Sequence, residues 1–154
     1  MKHLIPEFEK LRERFPEGFE SSLVLPCVRR IQEDRGYVAD SDIEELAAYL
    51  GVPQIQIEEV LSFYTQFRRK PVGRWHLQFC HNVSCSMNGA ERILAHVEKR
   101  LGIQPGQTTP DGRYTLSTAE CLGSCGTAPM MMVNGAYEEN LSVERLDALL
   151  DRIK

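Results

Sequence analysis

Apolar side chains recur at helical spacing through the first 66 residues, and this pattern predicts four consecutive helices. The first helix is marked by four apolar residues on one face: Ile5, Phe8, Leu11 and Phe15. The second begins near Ser21 or Ser22, tolerates Pro26 in its first turn and ends at Gly36. Because stripes this narrow do not stabilise isolated helices in water, we expect the helices to pack together or onto the rest of the chain.

The third and fourth helices carry clearer boundary signals. The sequence Ser41-x-x-Glu44 has the form of a capping box, and Gly51 follows the last apolar position of the third helix. The fourth helix begins at Pro53 and is predicted to bury four residues: Ile57, Val60, Leu61 and Tyr64. The first part of the chain is therefore predicted to be a helical bundle.

The hydrophobic period changes from that of helices to that of strands after the basic stretch 68–74. Residues 75–79 alternate between apolar and polar positions and lead directly into Cys80. Residues 114–119 alternate again and deliver the chain to Cys121. Each of these two predicted strands therefore ends at a cysteine.

Two helices and a hairpin complete the second part of the chain. The apolar spacing of residues 90–101 predicts a helix, and residues 130–137 predict a hairpin with Asn134-Gly135 at its turn. A last helix over residues 143–153 is capped by Ser142. The order β-α-β-β-β-α after a helical bundle places the chain in the α+β class.

The composition limits the kinds of protein that this chain can be. Apolar residues make up 42% and charged residues 26%, which is typical of a globular protein. The formal net charge is −4, which argues against a nucleic-acid partner. There is no apolar run of the ~18 residues that a membrane span needs, and the charged N-terminus lacks the apolar region of a signal peptide. We therefore expect a cytoplasmic protein that binds no nucleic acid and does not insert into membranes.

Five cysteines carry most of the chemical information: Cys27, Cys80, Cys85, Cys121 and Cys125. An odd number of cysteines in a chain without a secretory signal argues against a disulfide framework. The last four form two close pairs, with four and three residues between the partners. Cys27 stands apart on the same helical face as Leu23 and Ile31, and we expect it to be a packed free thiol.

Both cysteine pairs follow predicted strands, in segments that carry no formal charge. Residues 79–90 and 121–137 contain no Asp, Glu, Lys or Arg, and Gly89, Gly123 and Gly126 permit tight turns. If the two strands are neighbours, the four thiols converge at one end of the sheet. Four thiolates around a [2Fe–2S] cluster carry a net negative charge, and backbone N–H groups in uncharged loops stabilise such an anion.

Other uses of the four cysteines remain open at this stage. Structural zinc also takes four cysteines, but usually in C-x2-C knuckles, which these spacings do not match. A redox-active dithiol needs the sequence C-x-x-C, which is absent from the chain. Burial in a core is ordinary for a single cysteine and does not suit two pairs in loops. The spacing favours an iron–sulfur cluster over zinc.

The residues around the cysteine pairs resemble those of a known family. The matching segments are Cys80-x4-Cys85, Met87–Ala90, Thr109–Gly112, Glu120–Met130 and Phe63–Thr65. The resemblance extends over nearly the whole chain, and the Cys-Leu-Gly-x-Cys pattern within it is specific. The chain is similar to the 24 kDa iron–sulfur subunit family of respiratory NADH:quinone oxidoreductase (complex I).

This resemblance implies a fold and a set of ligands. In that family a helical part precedes a thioredoxin-like ferredoxin domain with one [2Fe–2S] cluster. Residues 1–70 are accordingly expected to be a helical docking bundle, and residues 71–154 the cluster domain. The implied cluster and metal ligands are Cys80, Cys85, Cys121 and Cys125. His81 departs from the small or hydroxyl residue expected there, and it is either an idle loop residue or a hydrogen-bond donor to the cluster.

The resemblance also implies a subunit of an oxidoreductase that has no catalytic residues of its own. Its cluster would exchange single electrons, off the main electron path, with the FMN of a larger subunit that also binds NADH. The chain has no G-x-G-x-x-G after a strand, so we expect it to bind neither nucleotide itself. Such a complex would hold the chain peripherally on the cytoplasmic side of a membrane.

Three alternatives to this assignment stay open. The same module occurs in NAD-linked hydrogenases and in formate dehydrogenases, and the motifs do not separate these assemblies. A zinc interaction module that uses the four cysteines without a redox role is the alternative of a different class.

Two further expectations concern charged residues. Glu120 directly precedes Cys121, and it is either a solvated strand end or a charge that lowers the potential of the cluster. Four basic residues are expected to mark a flexible hinge between the bundle and the cluster domain: Arg68, Arg69, Lys70 and Arg74.

Overall fold

The computed structural model describes residues 1–153 and divides them into two compact units, Met1–Pro71 and a second unit that begins at Val72. The first unit is built from four α-helices: α1 (Ile5–Arg12), α2 (Val24–Arg35), α3 (Asp40–Leu50) and α4 (Gln54–Phe63). Short 3-10 helices at Lys2–Leu4 and Glu20–Leu23 precede α1 and α2. The four predicted helices are confirmed, although α1 ends before Phe15.

The helical unit has an apolar core of its own, to which all four helices contribute. Six of its members that are at most 2% exposed represent the four helices: Phe8, Cys27, Val28, Ile31, Leu46 and Ile57. Gly36 and Gly51 follow α2 and α3 with φ of 89° and 70°, so both predicted helix ends are confirmed. Each helix buries one stripe, as the hydrophobic period requires.

The start of α3 differs from the prediction. Ala39 is the N-cap residue, and its N–H donates a hydrogen bond of 2.8 Å to the carboxylate of Asp42. The same carboxylate lies 2.8 Å from a guanidinium nitrogen of Arg35. The predicted box from Ser41 to Glu44 is wrong, because Asp42 already satisfies the helix start.

The end of α4 also differs from the prediction. Tyr64 was predicted to be buried, but its side chain is exposed. The helix ends at Phe63, and Tyr64 has an extended backbone that no longer follows the helical face. Of the four predicted residues, Ile57 and Leu61 are buried and Val60 is half-buried.

Two residues of the predicted hinge are tied to the helical unit. The N–H of Arg68 donates to the side-chain oxygen of Gln32 at 2.7 Å. The guanidinium of Arg69 forms ion pairs with both Asp40 and Glu58. The expectation of a flexible hinge is therefore wrong for Arg68 and Arg69.

The second unit contains four strands and three α-helices among the described residues. The strands are β1 (Trp75–Cys80), β2 (Tyr114–Ala119), β3 (Met131–Val133) and β4 (Ala136–Glu138). The helices are α5 (Val83–Met87), α6 (Ala90–Leu101) and α7 (Val143–Arg152). Apart from α5, these elements follow the predicted order. The predicted cap of α7 is confirmed, because the hydroxyl of Ser142 accepts a hydrogen bond from the N–H of Arg145.

The four strands form one mixed sheet in the order β2-β1-β3-β4. Strands β1 and β2 are parallel neighbours, with Cys80 opposite Ala119 at their ends. Strand β3 is antiparallel to β1, and β4 is antiparallel to β3 across a turn in which Asn134 and Gly135 both have positive φ. Because β1 and β2 run in the same direction, the segments that carry the two cysteine pairs leave the same end of the sheet.

Helices α6 and α7 pack with one face of this sheet. The core combines residues of β1, β2 and β3 with residues of the two helices, each at most 2% exposed: Leu77, Phe79, Leu116, Met131, Ile93, Val97, Leu146 and Leu150. This core is separate from the core of the helical unit. Each unit therefore buries its own apolar surface.

Candidate metal centre

The first cysteine pair is held by regular secondary structure. Cys80 is the last residue of β1, and its N–H donates to the carbonyl of Met130. After the N-cap residue Asn82, the single-turn helix α5 carries Cys85. The two thiols are 2% and 1% exposed and lie in an apolar cluster with Ala90 and Met130. The sequence predicted a loop for Cys85, and that prediction is wrong because the chain forms a helical turn there.

The second cysteine pair lies on an exposed segment. Cys121 follows β2, and Cys125 begins a three-residue 3-10 helix. Their sulfur atoms are 3.9 Å apart. Two thiolates on one tetrahedral metal, at about 2.3 Å from it, lie ~3.8 Å apart. The second pair is therefore already at the spacing of two ligands of one metal atom.

Backbone N–H groups and neighbouring thiols surround Cys80. Burial raises the pKa of the Cys80 thiol. Hydrogen bonds from the backbone at Asn82 and Leu122, and from the thiols of Cys85 and Cys121, lower it by more than burial raises it. The pKa of Cys80 therefore lies below its usual value. Burial, and then the adjacent Cys80, raise the pKa of Cys85. Cys80 is thus the thiol of this pair that loses its proton more readily, and a bound metal would have to displace the proton of Cys85.

One hydrogen bond joins the two cysteine segments, and another lies within the second segment. The hydroxyl of Ser84, on α5, donates to the carbonyl of Cys125 at 2.9 Å. The N–H of Gly123 donates to the sulfur of Cys121 at 3.4 Å. The N–H on the sulfur of Cys121 fits a partly buried anion, which is the character of a cluster bound by four thiolates.

The hairpin β3–β4 also contacts the second segment, through residues that the sequence did not indicate. The hydroxyl of Tyr137 donates to the carbonyl of Leu122 at 2.7 Å. The carboxylate of Glu139 accepts hydrogen bonds from the hydroxyls of Ser124 and Thr127. No local pattern signals these contacts, because they join residues 12 to 15 positions apart whose proximity depends on the sheet order.

Cys27 lies in the other unit, within the core of the helices. Its thiol is completely buried, and burial raises its pKa to about 12, although the charge of Arg12 opposes this increase. A thiol that stays protonated in an apolar core is a packing group, as predicted for Cys27.

His81 and Glu120, which are adjacent in sequence to Cys80 and Cys121, lie close to each other. His81 Nε2 lies 3.5 Å from a carboxylate oxygen of Glu120, and the Glu120 side chain is 87% exposed. Because the Glu120 side chain is so exposed, solvent screens its charge, and the effect of that charge on a bound cluster would be small. The side chain that lies next to the His81 ring is therefore a carboxylate.

The donor set fits a two-metal cluster. A [2Fe–2S] cluster takes two protein thiolates on each of its two iron atoms, whereas a single bound metal ion takes three or four protein ligands. Among residues 1–153, no group of three or more His, Cys, Asp or Glu side chains is placed to hold one metal ion. Four thiols in two pairs, with N–H donors between them, could hold such a cluster.

Comparison with known proteins agrees with this chemistry. The model of a family described as thioredoxin-like [2Fe-2S] ferredoxin matches residues 8–154. The chain belongs to this family. Membership of the thioredoxin-like [2Fe–2S] ferredoxins confirms the predicted fold class, a helical part followed by a thioredoxin-like domain with mixed α and β structure.

Curated relatives of this ferredoxin are components of NADH-quinone oxidoreductases. One such component, from Rhizobium meliloti, is 45% identical over 148 residues, which are 96% of this chain and 87% of the relative. The relative from Escherichia coli is 42% identical, and the match covers 84% of this chain and 78% of the relative. The relative from Thermus thermophilus is 38% identical, with 92% and 79% covered. The resemblance noted in the sequence is confirmed.

A solved structure shares the fold of this ferredoxin. The NAD+-reducing [NiFe]-hydrogenase in its air-oxidised state superimposes with a TM-score of 0.73 and 27% sequence identity. The match covers 84% of this chain and 22% of the hydrogenase chain, so this chain spans about a fifth of the length of that chain. Within residues 1–153, no helix combines the length and apolar character that crossing a membrane demands.

Proposed function

We propose that this ferredoxin is the [2Fe–2S] electron-transfer subunit of an NADH-quinone oxidoreductase. Its cluster would be held by Cys80, Cys85, Cys121 and Cys125, and single electrons would pass between it and the FMN of a larger subunit that also binds NADH. The observation that carries the proposal is the meeting of four thiols at the ends of two parallel strands. The names of the curated relatives support the assembly.

The residues around the thiols have separable roles in this proposal. When bound, a [2Fe–2S] cluster supplies a carrier for one electron. The apolar cluster around Cys80 and Cys85 excludes water from one side of the site. The N–H of Gly123 and the hydroxyl of Ser84 stabilise and fix the exposed segment, which leaves its thiols on the side that a partner can approach.

Metal analysis and spectroscopy of the purified full chain test the proposal. We expect two iron and two sulfide per chain, visible absorption, and an electron paramagnetic resonance signal after reduction by one electron. A colourless protein with one zinc per chain would instead support the zinc interaction module.

The hydrogenase match supports a second assembly for the same subunit. The shared fold with the NAD+-reducing [NiFe]-hydrogenase makes a place in an NAD-linked hydrogenase the alternative. Purification of the native complex followed by mass measurement of its subunits separates the two. We expect the subunits of a quinone reductase, peripherally bound on the cytoplasmic side of the membrane, and a co-purified nickel subunit would favour the hydrogenase.

We propose further that the end of α4 docks to the flavin-bearing subunit. Phe63 is 77% exposed, its ring contacts Tyr64 edge to face at 5.0 Å, and both line an open pocket of about 600 Å³. A stable interface needs about 800 Å² from each partner, which is a large area for the cluster unit alone. Exposed aromatic residues beside a pocket are typical of interaction sites.

Substitution of one aromatic residue tests this docking surface. We expect Phe63→Asp to weaken co-purification with the flavin subunit at least ~10-fold while the iron content stays unchanged. Phe19→Asp is the matched control, because Phe19 is also an exposed aromatic residue of the helical unit but lies at a different pocket. Binding of the Phe63 variant at the affinity of the unchanged chain would contradict the proposal.

A further inference from the structure

The exposed thiol pair depends for its position on side chains that come from outside its own segment. We propose that Tyr137 and Glu139 are positioning residues that hold Cys121 and Cys125 in the geometry that a cluster needs. This inference rests on the proposed function, since it concerns the same four thiols.

The segment that carries the exposed pair has little regular structure of its own. Between the end of β2 and the start of β3, only Cys125–Thr127 forms a helical turn, and it is a single 3-10 turn. Gly123 adopts a φ of 85°, a region in which glycine is readily accommodated. Ordering flexible residues costs backbone entropy, so contacts from elsewhere are needed to fix two thiols 3.9 Å apart.

Tyr137 supplies the contact beside Cys121. Its hydroxyl donates a 2.7 Å hydrogen bond to the carbonyl of Leu122, the residue that directly follows this cysteine. The tyrosine side chain is half-exposed, so water could satisfy its hydroxyl, yet the hydroxyl bonds to the segment. Tyr137 pairs with Met132 of β3, and the sheet therefore fixes the residue from which the hydrogen bond is made.

Glu139 supplies the contacts beside Cys125. Its carboxylate accepts one hydrogen bond from Ser124, immediately before the cysteine, and one of 2.7 Å from Thr127, two residues after it. These hydroxyls, first that of Ser124 and then that of Thr127, lower the pKa of Glu139 below its usual value. The N–H of the next residue, Asn140, also donates to the carbonyl of Thr127 at 2.8 Å.

The two residues therefore act at the two ends of the segment. Tyr137 restrains the backbone at Cys121, and Glu139 restrains the turn that begins at Cys125. Both reach across from the same hairpin, which the sheet holds beside β1. In a chain that lacks either restraint, one thiol of the exposed pair is no longer held in place. That thiol detaches more readily, so the chain should release the cluster faster.

The rate at which the full chain releases its cluster to a chelator tests this inference. We expect Tyr137→Phe to increase that rate about 5-fold, the effect of one ordinary hydrogen bond, and Glu139→Ala, which removes two hydrogen bonds, to increase it by at least about 5-fold. Glu139→Gln keeps an acceptor oxygen and should return the rate to within about 2-fold of the unchanged chain. Glu138→Ala is the matched control, since Glu138 carries the same charge one residue away but pairs with Arg152.

The spectrum of the reduced cluster distinguishes positioning from a general loss of stability. We expect Glu139→Ala to shift the g values of the paramagnetic resonance signal and Glu138→Ala to leave them unchanged. If Glu139→Ala does not fold, Thr127→Ala removes one of the same hydrogen bonds from the other side. The double variant of Glu139 and Thr127 should release its cluster more slowly than the product of the two single effects predicts, because the two substitutions remove one shared hydrogen bond.

Two outcomes separate this inference from the proposed function. If the unchanged chain binds two iron atoms and the Tyr137 and Glu139 variants release them at its rate, the inference is overturned and the proposed function stands. If the unchanged chain binds no iron, both are overturned.

Discussion

The buried and the exposed cysteine pairs meet at one site but are held by different means. Cys80 and Cys85 belong to β1 and α5 and lie in an apolar cluster. Cys121 and Cys125 lie on an exposed segment that is fixed by hydrogen bonds from α5 and from the hairpin. The first pair is positioned by the core of its unit, and the second pair by a few long-range polar contacts.

This difference suggests how one small site can be both stable and accessible. The buried pair protects one side of the site from water, and the exposed pair leaves the other side open to a partner. Electron exchange requires close approach, so the exposed side is the one on which the partner is expected to bind. Stability and access are thereby assigned to different elements of the same fold.

The largest expected effect is the loss of a ligand. Substitution of Cys80, Cys85, Cys121 or Cys125 by alanine should abolish the cluster, because an iron atom then lacks a thiolate. Iron analysis and visible absorption measure the outcome. Cys27→Ala is the control and should keep its iron, at a cost in folding free energy of ~1 kcal/mol. Loss of iron from the Cys27 variant would contradict the proposed ligand set.

The second prediction compares the two pairs without metal. Cys85→Ser places a hydroxyl in an apolar cluster and should lower the free energy of unfolding of the metal-free chain by about 1–2 kcal/mol. Cys121→Ser changes an exposed side chain and should stay within ~0.5 kcal/mol of the unchanged chain. Urea unfolding of both variants measures the difference. Equal destabilisation would show that the buried pair depends on apolar packing no more than the exposed pair does.

Part of this comparison could be predicted from the sequence. The alternation before Cys80 and Cys121 predicted two strands, and the structure forms them as parallel neighbours. The turn at Asn134-Gly135 was also predicted correctly, because two residues with positive φ favour this pair. These features depend on residues close together in the sequence.

The rest depends on contacts that no local pattern encodes. Helix α5 has five residues and no apolar repeat, so its formation around Cys85 depends on the Asn82 cap and on packing against Met130. The contacts of Tyr137 and Glu139 require knowledge of which strand lies beside the cysteine segment. The exposure of Tyr64 reflects the helix end, which hydrophobic spacing alone does not locate.

The third prediction concerns the charge at the mouth of the exposed side. Glu120→Gln removes a negative charge and should raise the reduction potential, because the carboxylate disfavours the addition of an electron. A charge about 10 Å away in water is worth ~0.4 kcal/mol, so we expect an increase of ~20 mV at low salt and less at high salt. Redox titration at two ionic strengths measures it. A midpoint that is unchanged at low salt would mean that Glu120 is only a solvated strand end.

The smallest expected effect lies away from both pairs, where α6 and α7 are joined. His96, first, and then Arg100 lower the pKa of Asp147, and His96 Nε2 lies 2.9 Å from its carboxylate. A carboxyl with a lowered folded-state pKa stabilises the fold above its unfolded pKa of about 3.9 and loses that contribution as the pH falls through the folded value.

The melting temperature of the metal-free chain measures this contribution. Asp147→Asn should melt slightly lower at pH 7, and the difference should shrink as the pH falls below about 3.9, the pKa of the unfolded carboxyl. Iron content at pH 7 should not change, since the ion pair joins α6 to α7 and is not part of the cysteine segments. A difference that persists unchanged in acid would contradict the assigned cause.

The Mössbauer spectrum of the full chain loaded with ⁵⁷Fe tests the central claim most directly, because it counts and distinguishes the iron sites. We expect two ferric irons when the cluster is oxidised, and one ferric and one ferrous iron after one-electron reduction, at sites made distinct by the buried and the exposed thiol pair. A single iron environment after one-electron reduction would contradict this expectation. So would a chain that takes up zinc and no iron.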